Sequence, residues 1–181
     1  TTAANGGTGA GNVWTIVSGE LTGPAGDGWR RSCLTTATYK DPSVLALVKK
    51  VGNQQVVIRA TTDYNFPGYG FQLRNGEFRL ERPGLAQLAT VSKSFTEGQY
   101  YYIRCEASGS TIRGKVWLQG DNEPGSWDIS VTDTTYPNAG SVGFSGESSF
   151  GKFASLSISI PVNRNNYAGR IYNYITTNPT L

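Results

Sequence analysis

Hydrophobic and polar residues alternate with a period of two along most of the chain. In residues 69–74, aromatic and aliphatic side chains alternate with Gly70, Gln72 and Arg74, and Asn75–Gly76 separates this run from a second alternating run at 77–82. Such alternation is typical of a strand with one buried face, and an Asn-Gly pair between two such runs is a strong hairpin signal. The pattern predicts two antiparallel strands joined by a tight turn.

Runs of the same kind recur at short intervals, separated by Gly, Asn, Asp and Pro. They predict further strands at residues 44–51, 55–61, 88–95, 100–107, 111–118, 127–132, 141–145 and 153–160. No segment has the apolar spacing of an amphipathic helix. About a dozen short strands in one chain predict an all-β fold, a sandwich of two stacked antiparallel sheets.

The two ends of the chain differ from this central region. Residues 1–11 are mainly Gly, Thr and Ala and predict a flexible lead, whereas residues 161–181 are rich in Asn, Tyr and Thr. We therefore expect one sandwich domain over residues 12–160 and an extended C-terminal tail. Tyr167, Tyr172 and Tyr174 of that tail are candidates for contact with another protein subunit, by strand addition or groove docking. The alternative is that the tail packs on its own domain.

Composition narrows the chemistry that the chain can perform. Histidine is absent, which excludes a Ser-His-Asp triad and removes the commonest metal ligand. The net charge is only +3 and basic residues never cluster beyond pairs, so nucleic-acid binding is not indicated. No apolar run approaches the roughly 20 residues of a membrane helix. The chain begins at Thr1 without an initiator methionine, which suggests processing, trimming or a longer parent polypeptide.

The chain has two cysteines, Cys33 and Cys105. A disulfide between them would close a long loop and stabilise the fold by roughly 4 kcal/mol. The alternative is a pair of buried thiols, and Cys105 shares strand parity with Tyr101, Ile103 and Ala107, as a small core residue would. The sequence leaves both possibilities open, and with them the redox compartment.

An ordered series of segments resembles a known family. The segments are residues 57–63, 69–80, 100–104, 111–117, 123–127 and 140–144, preceded by Trp14 and residues 17–21. In this order they resemble the LamG-like branch of the concanavalin A-like lectin/glucanase superfamily, over roughly residues 12–160. The resemblance implies a jelly-roll fold and favours sugar binding, since the family includes lectins, glycan-binding modules, adhesion modules and virion proteins.

The segment Glu77–Glu81 resembles the catalytic carboxylate segment of related hydrolases. Related hydrolases carry two glutamates at similar spacing with an aspartate between them, but here Arg79 occupies the middle position. Strand rise separates the two Cα atoms by about 13 Å, whereas a retaining pair needs carboxyl groups ~5–5.5 Å apart. A cation between the carboxylates also keeps both ionised. We therefore expect a salt-bridged strand face and no catalytic residue.

Aromatic residues beside polar ones mark the candidate ligand site. The loop 63–69 carries Tyr64, Phe66 and Tyr69, and Trp29 is followed by two arginines. Aromatic rings in loops are typical of sugar-binding sites, although Phe66 or Tyr69 could instead cap the core. The other candidate ligand-binding residues, expected to supply hydrogen bonds, are Arg74, Glu77 and Arg79.

Other aromatic and acidic residues give weaker signals. Trp127 is expected in the core, and Trp117 on a polar strand face under arginine and lysine stems. Asp121–Glu123 and the pair Asp63 and Asn65 are candidate loop ligands for calcium, although their spacing is not that of a known calcium site. No cofactor is expected.

Three functions remain in order of preference. The first is a non-catalytic carbohydrate-binding module, extracellular or on a virion surface. The second is a structural, decoration or fibre protein of a virus particle such as a bacteriophage, whose tail contacts neighbouring subunits. The third is a glycoside hydrolase.

Overall fold

The alternating runs fold as β-strands that pair in two antiparallel sheets. The computed structural model describes residues 15–23, 29–33, 37–61, 67–147, 152–159 and 172–173, and these contain no helix. The six-stranded sheet contains, in spatial order, β3 (Trp29–Cys33), β12 (Ser141–Glu147), β5 (Asn53–Ala60), β6 (Tyr69–Arg74), β7 (Glu77–Arg82) and β8 (Ala86–Ser92). The fold is the expected all-β jelly-roll sandwich.

The second sheet has eight strands. Its spatial order is β1 (Thr15–Val17), β2 (Glu20–Thr22), β13 (Lys152–Ser159), β4 (Ser43–Lys49), β9 (Tyr100–Ser108), β10 (Thr111–Leu118) and β11 (Ile129–Thr132), and β14 (Tyr172–Asn173) pairs with β13. The ten strands predicted from alternation all occur, with ends shifted by a few residues. The pattern did not predict β1, β2, β3 or β14.

Two tight turns join neighbouring strands, and the first is the Asn75–Gly76 turn predicted above. Arg74 pairs with Glu77 around Asn75–Gly76, and Gly76 has a φ of +82°, a left-handed conformation that glycine adopts without steric cost. The second turn joins β9 to β10, where Ser108 pairs with Thr111. These hairpins fix the register of β6 with β7 and of β9 with β10.

The core lies between the two sheets. The six-stranded sheet contributes Val56, Phe71, Phe78, Leu80 and Phe144, all 0–1 % exposed, and the other sheet contributes Val44, Ile103, Cys105, Ile112, Val116 and Phe153, all 0 % exposed. Phe71 packs directly on the backbone of Gly114 in β10, where a Cβ atom would overlap its ring. The predicted core position of Cys105 is confirmed. Its thiol is free, so it is not bonded to Cys33.

A buried arginine joins the loops at one end of the sandwich. Arg59 has a φ of +50° next to a register irregularity between β5 and β12, and it is 2 % exposed. Its guanidinium donates to the carbonyl oxygens of Lys40, Gly109 and Tyr136 and pairs with Asp41 at 3.0 Å. A buried charge is tolerated only when it is paired and hydrogen-bonded, and these four partners meet that requirement.

The described part of the C-terminal tail lies on its own domain. Tyr172 and Asn173 form β14, whose backbone pairs with Ile158 and Ser157 of β13. Tyr167 and Tyr174 lie outside the described residues, as do residues 1–11. The proposal that the tail contacts another subunit, and the domain limits at residues 12 and 160, stay predictions.

Candidate functional site

The outward side of the six-stranded sheet carries polar side chains. Directly paired residues of antiparallel strands lie on the same face. The register therefore aligns Ser145, Gln55, Gln72, Arg79 and Thr90 in one row across β12, β5, β6, β7 and β8. The adjacent rows add Arg74 with Glu77 on one side and Gly70 with Glu81 on the other. We call this surface the polar face.

Hydrogen bonds and ion pairs connect the polar face from β12 to β8. Ser145 Oγ donates to Gln55 Oε1 at 2.9 Å, and Gln55 Nε2 donates to Glu81 Oε1 at 2.8 Å. The Gln55 carboxamide crosses β6 at Gly70, where a Cβ atom would approach its Cδ to 2.5 Å. Arg79 then pairs with Glu81 at 3.7 Å and with Glu77. We call this connected series the polar ladder.

The polar ladder ends at Glu77, which has three partners. Thr90 Oγ1 donates to it at 2.7 Å, Arg79 Nη2 donates to its other oxygen, and Arg74 Nε lies 3.5 Å away. The hydrogen bond from Thr90 lowers the pKa of the Glu77 carboxyl, and Arg79 lowers it further against the opposing effect of burial. Glu77 is therefore ionised at neutral pH, whereas the general acid of a glycosidase needs a raised pKa.

Gln72 lies in the central row of the polar face but makes none of the bonds of the polar ladder. Its side chain is 0 % exposed, and neither its Nε2 nor its Oε1 has a hydrogen-bond partner. Arg79, its cross-strand partner, also has an unpartnered buried Nε. Most buried polar side-chain atoms in proteins are hydrogen-bonded, so two adjacent side chains with free donors and an acceptor mark an unusual position.

The structure brings together three of the predicted ligand-binding residues. Arg74, Glu77 and Arg79 lie on the polar face within one ion-paired group. Trp29 is the first residue of β3 at the edge of the same sheet, opposite Glu147, rather than in a loop. Its side chain, and both Tyr64 and Phe66, lie outside the described residues.

Tyr69 does not offer a stacking surface, which corrects its assignment as a ligand-binding residue. Its ring is 0 % exposed and packs edge-to-face on Tyr136 at 5.3 Å between centroids. The hydroxyl donates to Asp133 Oδ1 at 2.7 Å and accepts from Tyr136 N. Burial raises the pKa of Tyr69 to about 12. The alternative stated from the sequence, that Tyr69 caps the core, is the one that the structure supports.

Sequence reasoning missed Gln55, Gln72 and Ser145 as candidate site residues, and it weighed Glu81 only as one half of a catalytic pair. Gln72 lies on the same face of β6 as Arg74, and Glu81 lies on the same face of β7 as Arg79. The alternation along each strand therefore already indicated that Gln72 and Glu81 belong to the polar face. Ser145 lies 90 residues from Gln55 along the chain, and only the pairing of β12 with β5 brings them together. No local pattern could identify that contact.

In the candidate calcium loop at Asp121–Glu123, the Glu123 carboxylate is already paired with two cations of the protein. The Glu123 carboxylate pairs with Arg104 at 2.7 Å and with Lys115 at 2.8 Å. The hydrogen bond from Arg104 lowers the pKa of Glu123, and Lys115 adds to this against burial. Within the described ranges no three His, Cys, Asp or Glu side chains are grouped to hold a metal ion. Asp63 and Asn65 lie outside those ranges.

The outward side of the eight-stranded sheet carries a second aromatic group. Trp127 precedes β11 and is partly exposed under Arg113 at 4.4 Å and Lys115 at 4.8 Å, so its predicted core position is wrong. Trp117 does lie on the more polar face, but it is 8 % exposed and stacks on Tyr102. The cationic stems thus cover Trp127 instead of Trp117, because the loop after β10 folds back over that strand.

A cavity of about 430 Å³ opens where β10 ends. It is lined by Lys93, Phe95, Tyr101, Trp117, Leu118, Asp121 and Pro124, among others. Lys93 is already paired with Asp128 at 2.9 Å. The cavity has no unpartnered buried polar group among the described side chains, in contrast to the polar face.

Solved structures of similar fold include a carbohydrate-binding module and a lumenal domain with a bound glycan. Carbohydrate-binding module CBM66 from Bacillus subtilis superposes with a TM-score of 0.69 at 15 % identity, covering 87 % of this chain and 93 % of that one. The VIP36 exoplasmic/lumenal domain with bound Ca2+ and Man3GlcNAc gives 0.63 at 13 % identity, covering 87 % and 86 %. The chain has the concanavalin A-like jelly-roll fold. The jelly-roll fold that the resemblance implied is thereby confirmed.

Other structures with the concanavalin A-like fold set limits on what the fold implies. A Lotus tetragonolobus seed lectin superposes at a TM-score of 0.58 and 12 % identity, covering 91 % of this chain and 93 % of that one. A Parabacteroides distasonis protein provisionally named a glycosyl hydrolase superposes at 0.57 and 12 % identity, covering 82 % and 85 %. No protein-family model matches the sequence, and no curated protein is significantly similar to it. At these identities the likeness establishes the fold and leaves the ligand open.

Proposed function

We propose that this chain is a non-catalytic carbohydrate-binding module that holds a glycan on the polar face. The observation that carries the proposal is the unpartnered Gln72 carboxamide, surrounded by the fixed side chains of the polar ladder. A surface with preset donors and acceptors binds a hydroxyl-rich ligand at low conformational cost, because few side chains must be ordered on binding. The glycans named for VIP36 and the name of CBM66 are in line with this function.

The aromatic loop has a defined anchor beside the polar face. Thr61 N donates to Pro67 O at 2.9 Å, so the residues that flank 62–66 lie together at the end of β5 and β6. Glu81 lies at the same end of the sheet, since it pairs with Gly70 beside Tyr69. In this proposal Tyr64 and Phe66 are the stacking residues at one end of a bound glycan, and Arg74 and Glu77 bind its other end.

The polar ladder argues against hydrolysis at the two glutamates. Arg79 lies between Glu77 and Glu81 and pairs with both, so neither carboxylate is free to act on a substrate. We expect no release of sugars from β-glucans during prolonged incubation with the protein. Product formation that disappears in Glu77→Gln would assign the chain to the hydrolases instead.

A glycan array followed by calorimetric titration tests the proposed function. The variant Arg79→Gln removes the central cation of the polar ladder, and we expect binding to weaken by about tenfold or more. Arg113→Gln is the matched control, because Arg113 forms a comparable ion pair with Glu106 on the outward side of the other sheet. A folded protein that binds no glycan on the array, or equal losses in both variants, would contradict the proposal.

The cellular setting and the tail belong to the same proposal. We place the module outside the cell or on a virion surface, where polysaccharides are accessible. Among the described residues no helix is long and apolar enough to cross a membrane.

Tyr167, Tyr172 and Tyr174 of the C-terminal tail remain candidates for contact with a neighbouring subunit. Light scattering of the purified chain distinguishes a monomer from an assembly that depends on residues 161–181.

A further inference from the structure

Three unpartnered polar atoms belong to two directly paired residues in the central row of the polar face. They are Gln72 Nε2, Gln72 Oε1 and Arg79 Nε, carried by residues that pair directly across β6 and β7. Together they supply N–H donors on two side chains and one acceptor. The neighbouring Gln55 shows the contrast, because its carboxamide accepts from Ser145 and donates to Glu81.

The charged groups of the polar face are already neutralised within it. Its described side chains include Arg74 and Arg79 as cations and Glu77 and Glu81 as anions. Every one of the four takes part in at least one of the three ion pairs of the polar ladder. An acidic sugar would compete with Glu77 and Glu81 for these arginines, whereas an uncharged sugar meets no such competition. This balance of charge favours uncharged ligands over anionic ones.

We propose that Gln72, with Arg79 Nε, is the specificity contact of the glycan site and selects uncharged sugars with vicinal hydroxyls over acidic ones. This inference rests on the proposed function of the polar face. A carboxamide whose donor and acceptor are both free matches two adjacent hydroxyls, since one accepts from its N–H and the other donates to its carbonyl. Arg79 Nε–H then donates to a third sugar oxygen.

Access to Gln72 requires a side-chain movement. Gln72 has no exposed surface, so a ligand reaches its carboxamide only when a neighbouring side chain moves. Arg79, its paired neighbour on β7, is 20 % exposed, and in this proposal its guanidinium shifts while staying within reach of Glu77 and Glu81. The ligand thereby satisfies polar atoms that have no partner in the free protein.

A purely structural role for Gln72 makes a different prediction for its substitution. An unpartnered buried carboxamide destabilises the fold, so Gln72→Met should keep or raise the melting temperature. If Gln72 is a ligand contact, the same variant should weaken binding of a neutral glycan by about tenfold. Retained stability together with lost affinity is an outcome that a structural role does not produce.

The experiment compares the protein with Gln72→Met and with Gln119→Leu, a control at an exposed position directly after β10. Each is titrated with neutral and uronic acid-containing polysaccharides from the array, at low and high salt. We expect neutral ligands to bind the protein and the control alike, independently of salt. Gln72→Met should bind them about tenfold more weakly.

Each outcome decides between the claims. Neutral binding that is unchanged in Gln72→Met, or a preference for acidic polysaccharides, overturns the inference and leaves the proposed function standing. Loss of stability in Gln72→Met together with loss of binding assigns Gln72 a structural role and also overturns the inference. If the unmodified protein binds no polysaccharide, the proposed function fails and the inference fails with it.

Discussion

Strand parity decides which aromatic residues can meet a ligand. Tyr69 follows the aromatic loop in sequence, yet it shares parity with Phe71 and Leu73 and is buried with them. The alternation contained this information, but the loop composition favoured the opposite interpretation. Trp127 shows the reverse case. Its alternation with Ile129 predicted a core position, but β11 begins only at Ile129, so the alternation rule does not apply to Trp127.

The Cys105 thiol should be inert in the folded protein. Its side chain is 0 % exposed, and burial raises its pKa well above the usual value, so the reactive thiolate is scarce. In a Cys33→Ser variant, which leaves Cys105 as the single thiol, we expect no alkylation at neutral pH. The same variant in denaturant should react completely. Rapid labelling of the folded variant would show that Cys105 is accessible.

At the scale of elements, the hairpin between β6 and β7 is what the sequence predicts best. Its turn residues and its alternation are local, and the register that they imply is observed. The polar ladder extends beyond this hairpin to β5 and β12, whose partners lie 26 and 90 residues away along the chain. Local patterns therefore identified Arg74, Glu77 and Arg79, but could not identify the network that holds them.

Gly70→Ala should disrupt the polar ladder without altering the turns. The added methyl group would overlap the Gln55 carboxamide and break its bonds to Glu81 and Ser145. We expect a loss of about 1–3 kcal/mol in the free energy of unfolding, because buried polar groups lose their partners. Chemical denaturation measures it.

Gly125→Ala is the matched control for this substitution, since a Cβ at Gly125 meets no atom within 4 Å. It should change the stability little. Equal stability of Gly70→Ala and Gly125→Ala would show that the Gln55 bonds contribute nothing measurable to the fold.

At the scale of the whole molecule, the prediction of a sandwich needed only the number and spacing of strands. The order of strands within each sheet could not be predicted from local patterns. β12 lies between β3 and β5, and β13 lies between β2 and β4, so strands that are distant along the chain are neighbours in the sheets. The short strands β1 and β2 have three residues each, too few for alternation to be recognised. Their pairing depends on partners elsewhere in the chain.

Acid should destabilise the whole domain. Hydrogen bonds from Thr90 and Arg104 lower the pKa values of Glu77 and Glu123, respectively. Burial alone would raise the pKa of Asp133, but hydrogen bonds from Thr135 and Tyr69 outweigh it and lower that pKa. Each folded pKa lies below its unfolded value, so the stabilisation is present above about pH 4.3 and is lost as the pH falls through the folded pKa.

Urea denaturation at a series of pH values measures this effect. We expect a constant free energy of unfolding between pH 6 and pH 8 and a decline below about pH 4.3. The variant Glu123→Gln should show a shallower decline, because one of the depressed carboxyl groups is removed. An equally steep decline in this variant would show that the Arg104 pair does not contribute to the pH dependence.

The binding of a glycan on the polar face is tested most directly by NMR. Titration of the isotope-labelled protein with the neutral glycan that binds best on the array locates the site residue by residue. The predicted result is a set of shifted amide resonances concentrated in β5, β6 and β7, with Gln72 and Arg79 among the most affected. Shifts confined to β9 and β10 around Tyr102 and Trp117, with the polar face unchanged, would contradict it.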